Sequence, residues 1–287
     1  SLRRVGDYVL GDELGEGSFG KVKEGLVVKE GSEDFGMRVA VKIMSRRSIR
    51  KIKDGEKKLR KEIRCVRSVR HQNVIQLLDV IGLEDGQQVY LVFELANLFS
   101  IQNLLEAHAE HRREREDAGL LAPRHGLPSS MCREIFAQLM SGISACHSKG
   151  VVHRDIKPSN LLLNSDGLVK LVDFGSAERI DQFTSDMTQV VVGTPEFQLP
   201  EAARGLPFSM VLSDLWAAAV TLYVLLEEEL PFQGDSIEEL YSNIAAAKLA
   251  LPACWSEEEK DLVGAMLRQA PEERLSLRSV LKHPWLQ

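Results

Sequence analysis

Apolar residues in this chain recur first at strand spacing and then at helix spacing. From Tyr8 to Val28 the pattern predicts strand, glycine turn, strand, with Val22, Leu26 and Val28 of one parity after the glycines. A polar turn over 29–36 precedes the strand Val39–Ile43, in which Lys42 is set among β-branched neighbours. Leu59, Ile63 and Val66 fall at i, i+4 and i+7 and predict a helix from Glu56 to Val69, with Glu62 at the edge of its apolar stripe. Val74–Ile81 and Val89–Phe93 flank E-D-G-Q-Q and predict a β-hairpin, followed by a hinge, E-L-A-N, at 94–97.

Beyond the hinge the period changes. Residues 100–111 read as helix, and 112–128, dense in mixed charge with two prolines and two glycines, read as an exposed insertion. His108, Glu110 and His111 belong to that solvated run and are not taken as a metal site. An amphipathic helix over 129–150 ends at Gly150. Next come V-V-H-R-D-I-K-P-S-N, the turn N-S-D-G and the strand L-V-K-L-V, which delivers Asp173-Phe174-Gly175. From 205 onward the chain reads as mostly helical, with apolar faces at 211–226, 236–247 and 256–268 and no internal repeat. The run Leu215–Leu226 is too short to span a bilayer and predicts a buried core helix.

Composition narrows the class. With 287 residues, 44% apolar and 27% charged, the chain can bury a substantial core and is not disordered by composition. A net charge of −6 argues against a general nucleic-acid binder. Four cysteines lie far apart without a C-x-x-C pair, which predicts a reduced intracellular chain. The polar start S-L-R-R-V-G-D does not read as a signal peptide. The expected location is cytoplasmic, with the nucleus also open to it.

The candidate chemistry centres on residues 151–160. Asp155 offers a carboxylate able to take a proton, Lys157 a cation two residues on, and Asn160 an amide able to hold a metal. Phosphoryl transfer needs those services, because its loose transition state leaves the protein mainly to position groups and neutralise charge. Gly15-x-Gly17-x-x-Gly20 suits a backbone turn covering phosphates; the valines and glycine after it break a helix and so argue against a dinucleotide fold. Ammonium groups are rarely buried alone, and Glu62 is the partner on offer for Lys42, a pairing that would aim the lysine at phosphates.

In order along the chain, these motifs resemble the eukaryotic protein kinases. The resemblance implies an α+β, bilobal fold: a β-rich N-lobe with one regulatory helix over 1–94, a mainly helical C-lobe over 95–287, and the nucleotide in the cleft between. It implies ATP with Mg2+, or Mn2+ in its place, as cofactors. Leu14, Gly15, Glu16, Gly17, Ser18, Phe19, Gly20 and Val22 would cover the nucleotide. Leu14, Val22, Ala40 and Leu162 would sandwich adenine, the backbone of Glu94 and Ala96 would hydrogen-bond it, and Phe93 would stand as gatekeeper. Lys42 and Glu62 would engage the phosphates, Asp155 would accept the substrate proton, and Lys157 would stabilise the transferring group. Asn160 and Asp173 would hold the metal. Leu199-Pro200-Glu201 departs mildly from A-P-E, and Arg274 is the expected structural partner of Glu201. Lys157 and Thr194 are similar to serine/threonine kinases, in which that hydroxyl contacts the residues matching Asp155 and Lys157. Lys42, Glu62, Asp155, Asn160 and Asp173 are all present, so the chain resembles an active enzyme and not a pseudokinase of the same fold.

The stretches 15–24, 50–80, 193–201 and 230–244 resemble the liver kinase B group. That resemblance implies a protein substrate, the activation-loop threonine of AMP-activated protein kinase and its relatives, with activation by a pseudokinase and a helical-repeat scaffold. The calcium/calmodulin-dependent kinase kinases, which share H-R-D-I-K-P-S-N-L-L, remain the alternative; a scaffold with little turnover and a small-molecule kinase are the readings from other classes. Val190 stands where phosphorylation-switched kinases place Thr or Ser; Thr184, Ser185 and Thr188 lie upstream, and Arg154 is the residue that would grip a phosphate there. Ser100 and Ser159 occupy positions where kinases selecting upstream arginine carry acids, so no such requirement is expected. Ala217 and Ala219 replace the usual Ser and Gly after Asp214-x-Trp216.

Overall fold

The computed structural model describes residues 3–17, 20–84, 86–96, 99–118, 125–180 and 185–287. Ser18, Phe19 and Thr184, singled out above, lie outside the described residues, as does part of the insertion. The first part of the chain forms β1 (Arg3–Val5), β2 (Tyr8–Gly17), β3 (Gly20–Val27), β4 (Arg38–Ser45), α1 (Arg46–Lys51), α2 (Gly55–Ser68), β5 (Leu77–Ile81) and β6 (Gln88–Glu94). The six strands make one antiparallel sheet in the order β1-β2-β3-β4-β6-β5.

Strand periodicity sets which side chains meet the cleft. In β4, Val39 and Val41 enter a small core with Leu10, Val27, Tyr90 and Val92, so Ala40 and Lys42 must face the other way. Val22 pairs opposite Lys42 and shares that face. The apolar parity foreseen in β3 is therefore not a core face: Leu26 is exposed, and Val27, of the opposite parity, is buried. Gly20 packs so tightly that a Cβ there would lie 1.9 Å from the Ile43 carbonyl oxygen, so this glycine serves the β3–β4 contact.

Helix α2 buries Leu59, Ile63 and Val66 as predicted, together with Cys65 and Glu62. The short α1 was not foreseen. It carries one buried apolar residue, Ile49, and begins where Ser45 accepts from the Ser48 N–H at 3.3 Å.

Past the hinge the chain continues through β7 (Phe99–Ser100), α3 (Ile101–Asp117), α4 (Ser129–Ser148), β8 (Val151–Val152), β9 (Leu161–Leu163), β10 (Val169–Leu171), β11 (Glu178–Arg179) and β12 (Met187–Thr188). It ends with α5 (Pro200–Ala203), β13 (Phe208–Ser209), α6 (Met210–Glu227), α7 (Ile237–Ala246), α8 (Glu257–Met266) and α9 (Leu277–Val280). Among the described residues α6 is the one helix long and apolar enough to cross a membrane, and 78% of it is buried inside the fold. It is the core helix of this lobe.

The exposed-insertion reading of 112–128 needs correction at both ends. Helix α3 runs to Asp117, and Arg112 and His108 on its inner side meet Glu228, at 3.0 and 2.6 Å. Glu228 caps α6 in the left-handed region (φ 59°). Polar periodicity looked solvated in sequence because the acceptor lies 116 residues from Arg112. At the far end Leu127 is buried, its N–H bonded to the Leu225 carbonyl at 2.9 Å.

Candidate active site

Between the sheet and the helical lobe lies a cavity of about 540 Å³. It is lined by Leu14, Gly15, Val22, Ala40, Lys42, Glu62, Phe93, Glu94, Ala96, Asn160, Leu162 and Asp173, so most of the residues singled out in sequence come together. That size suits a nucleotide-sized ligand. The space over Gly15 is open, with nothing within 4 Å of where a Cβ would be. Glu16 and Gly17 close the end of β2, paired opposite Lys21 and Gly20 of β3.

At the back of the cavity Lys42 Nζ donates to Glu62 Oε1 at 3.0 Å. Burial works against the ammonium, but Glu62 and Asp173 outweigh it and hold the Lys42 pKa above its ordinary value. At the front, Glu94 spends its N–H on the Gln76 carbonyl, 3.0 Å away, so that N–H does not serve the base. Sequence reasoning missed a brace here. Lys170, nearly buried in β10, donates to both Glu94 carboxylate oxygens at 2.8 and 2.9 Å. This ties the hinge to the strand that delivers Asp173; a lysine in an otherwise apolar strand was the available signal.

The loop over residues 153–160, the expected catalytic loop, is held from below by Asp214 in α6. Its carboxylate accepts the N–H groups of His153 (2.9 Å) and Arg154 (2.8 Å) and a bond from His147 Nε2 (2.8 Å). Arg154 sits at φ 68°, a left-handed backbone that this buried anion helps to hold. His153 packs edge-on to the Phe174 ring at 4.9 Å and bonds the Val172 carbonyl, joining the loop to the Asp173 turn.

On that base, Asp155 Oδ1 accepts from Thr194 Oγ1 (2.8 Å) and from the Thr194 N–H (3.1 Å). Lys157 Nζ donates to the same hydroxyl oxygen at 2.6 Å and lies 3.1 Å from Asp155 Oδ2. Asn160 turns its Nδ2 to the Asp155 carbonyl (2.7 Å) and Oδ2 (3.1 Å), leaving its Oδ1 for a cation. Asp173, at φ 60°, accepts the Gly175 N–H at 3.2 Å and exposes the rest of its carboxylate to the cavity.

This donor set, one amide and one carboxylate, is incomplete for a resident ion but fits Mg2+ shared with substrate phosphates. Among the described residues no cluster of three or more His, Cys, Asp or Glu could hold a metal. His111 lies near Glu114 (3.8 Å), whereas His108 is turned inward to Glu228 and so departs from the solvated reading. Arg274 forms a two-pronged pair with Glu201 at 2.9 and 2.6 Å and lies over the Trp216 ring.

A curled sheet over a helical lobe, with a buried Lys–Glu pair, an Asp–Lys–Thr triangle and Asn160 and Asp173 facing the cleft, defines a phosphotransferase. The protein kinase domain model matches residues 8–286, and the chain belongs to that family. It is similar to serine/threonine-protein kinase STK11 of Homo sapiens, 40% identical over 98% of this chain and 61% of the relative. Serine/threonine-protein kinase par-4 of Caenorhabditis briggsae is 35% identical over 98% of this chain and 41% of its own length. CBL-interacting serine/threonine-protein kinase 24 of Arabidopsis thaliana is 33% identical over 99% and 58%. The chain thus spans about three fifths or less of these relatives. The family as a whole works with ATP and Mg2+, and the cleft residues fit both.

Proposed function

We propose that this chain transfers the γ-phosphoryl group of ATP to a serine or threonine hydroxyl of a protein, and that its target is the activation-loop threonine of AMP-activated protein kinase or a related kinase. The observation that carries the reaction is the triangle of Asp155, Lys157 and Thr194, with separations of 2.6–3.1 Å. Asp155 is placed to orient and accept the proton of a hydroxyl entering beside Thr194. Lys157 is placed to neutralise charge growing on the transferring group, and Lys42, held by Glu62, to steady the α- and β-phosphates. Asn160 and Asp173 would hold Mg2+, which would supply the remaining positive charge.

The target rests on similarity to STK11 over the whole kinase domain and on the 50–80 and 193–201 stretches. Activation by a pseudokinase and a helical-repeat scaffold is part of the same reading. Val190 is exposed and carries no hydroxyl, and Arg154 Nη2 donates to its carbonyl. Both favour a partner-driven switch over a phosphate at that position.

The test is phosphate transfer from Mg-ATP to a peptide copying the activation loop of AMP-activated protein kinase, with and without the two partners and with Asp173→Ala as blank. Threonine transfer that rises strongly with the partners supports the proposal. Transfer that ignores them and answers to calcium–calmodulin moves the chain to the kinase-kinase alternative. Nucleotide binding with no transfer under any condition makes it a scaffold.

A further inference from the structure

Lys61 and Glu62 are neighbours on α2 and are held from opposite sides. Glu62 takes Lys42 of β4 at 3.0 Å, while Lys61 donates to Glu178 Oε2 of β11 at 2.7 Å. The same Glu178 oxygen lies 3.9 Å from Arg154 Nη1, and the Arg154 side chain is only 6% exposed. The other end of that guanidinium donates to the Val190 carbonyl, and the Arg154 N–H goes to Asp214. Glu178 is itself held in place, because β11 pairs with β8, setting Glu178 opposite Val152 just before the catalytic loop.

A guanidinium this deeply buried needs an anion nearby. Burial pulls the Arg154 pKa down, and the Glu178 and Asp214 carboxylates oppose that pull. In kinases switched by phosphorylation, a phosphate on the activation segment supplies such an anion and orders the segment. Here a carboxylate of the chain already stands between the loop arginine and α2.

We propose that Glu178 is a positioning residue: a built-in anion that couples α2 to Arg154 and the activation segment, and so keeps the Lys42–Glu62 pair formed without a phosphate on residues 185–192. The proposal rests on the phosphotransfer reading but not on the identity of the protein target. Because Glu178 and Lys61 are each about one-third exposed, their pair is screened, so the effect falls on the placement of α2 more than on global stability.

The test uses the full protein with Glu178→Gln, Glu178→Asp, Lys61→Gln and the double variant Lys61→Gln/Glu178→Gln. Hydrogen–deuterium exchange of residues 55–68, affinity for a non-hydrolysable Mg-ATP analogue, turnover and Tm are measured. Glu178→Gln keeps the shape of the side chain, and its Tm is expected to stay near that of the parent. Exchange in α2 should rise and kcat should fall roughly tenfold, with weaker nucleotide binding. Glu178→Asp should recover part of the loss. The double variant should be no worse than Glu178→Gln, since both changes break one linkage. Thr188→Ala and Ser185→Ala should leave turnover unchanged.

Parent-like exchange, affinity and turnover in Glu178→Gln would overturn the proposal. So would strictly additive losses in the double variant, or a loss in Thr188→Ala that Glu178→Gln does not share. If the parent protein transferred no phosphate to any substrate, the exchange and nucleotide-affinity arms would still decide the role of Glu178 separately from the functional reading.

Discussion

Lys42 of β4 and Glu62 of α2, 20 residues apart in the chain, meet at 3.0 Å behind the nucleotide cavity with both side chains largely buried. Removing one partner leaves the other charge in low dielectric, the costly case for a buried pair. Glu62→Gln is therefore expected to lower kcat/KM for ATP roughly a hundredfold while the fold persists, as read by steady-state kinetics beside circular dichroism.

The same pair has a pH signature. Lys42 titrates above its ordinary 10.5 in the folded protein because Glu62 and Asp173 outweigh the opposing burial. A raised folded pKa contributes stability that is fully present below the unfolded pKa and is lost as pH rises through the folded value. Stability from this group is thus expected to be flat through neutral pH and to decline only on the alkaline side. In Glu62→Gln the Lys42 resonance, followed by NMR, should titrate at lower pH than in the parent.

Phe93 lines the cavity at the end of β6, beside the Glu94 hinge position. A ring there should close the space behind adenine. ATP-competitive analogues with bulky substituents on the adenine amino group are expected to inhibit weakly, and Phe93→Gly to gain more than tenfold in sensitivity. Strong inhibition of the parent protein by such analogues would remove Phe93 from that role.

The pair between Arg274 and Glu201, far in sequence and nearly buried, pins the segment following Thr194 to the end of the helical lobe. Arg274→Ala also strips the Trp216 ring of its cation. The expected loss is about 3–5 kcal/mol of stability, measured by denaturant unfolding, because a buried carboxylate is left alone.

Cysteine reactivity should separate cleanly. Burial pushes the Cys65 thiol up to about 11 and raises Cys146 as well, so both stay protonated at neutral pH. Cys254 is exposed. Ellman's reagent at pH 8 is expected to modify Cys254 quickly and the three buried thiols only on unfolding, as mapped by peptide mass analysis.

Much of this molecule was legible from residue order alone, because its chemistry is carried by short motifs and its helices by periodicity. The i, i+4, i+7 stripe of α2 follows from backbone geometry and set Glu62 at the edge of the apolar face, where packing buries it, and the strand reading of 39–43 set Lys42 among β-branched neighbours. The H-R-D-I-K-P-S-N and D-F-G motifs located Asp155, Asn160 and Asp173, which the fold brings together at the cleft. What tertiary structure alone decided is which distant charges meet. Lys170 finds Glu94, Arg112 finds Glu228, and Glu178 takes its place between Lys61 and Arg154. A one-dimensional pattern records that a residue is polar but not whether water or a buried counter-charge will satisfy it; that choice is made only when strands and helices pack, since burial is what makes the partner necessary.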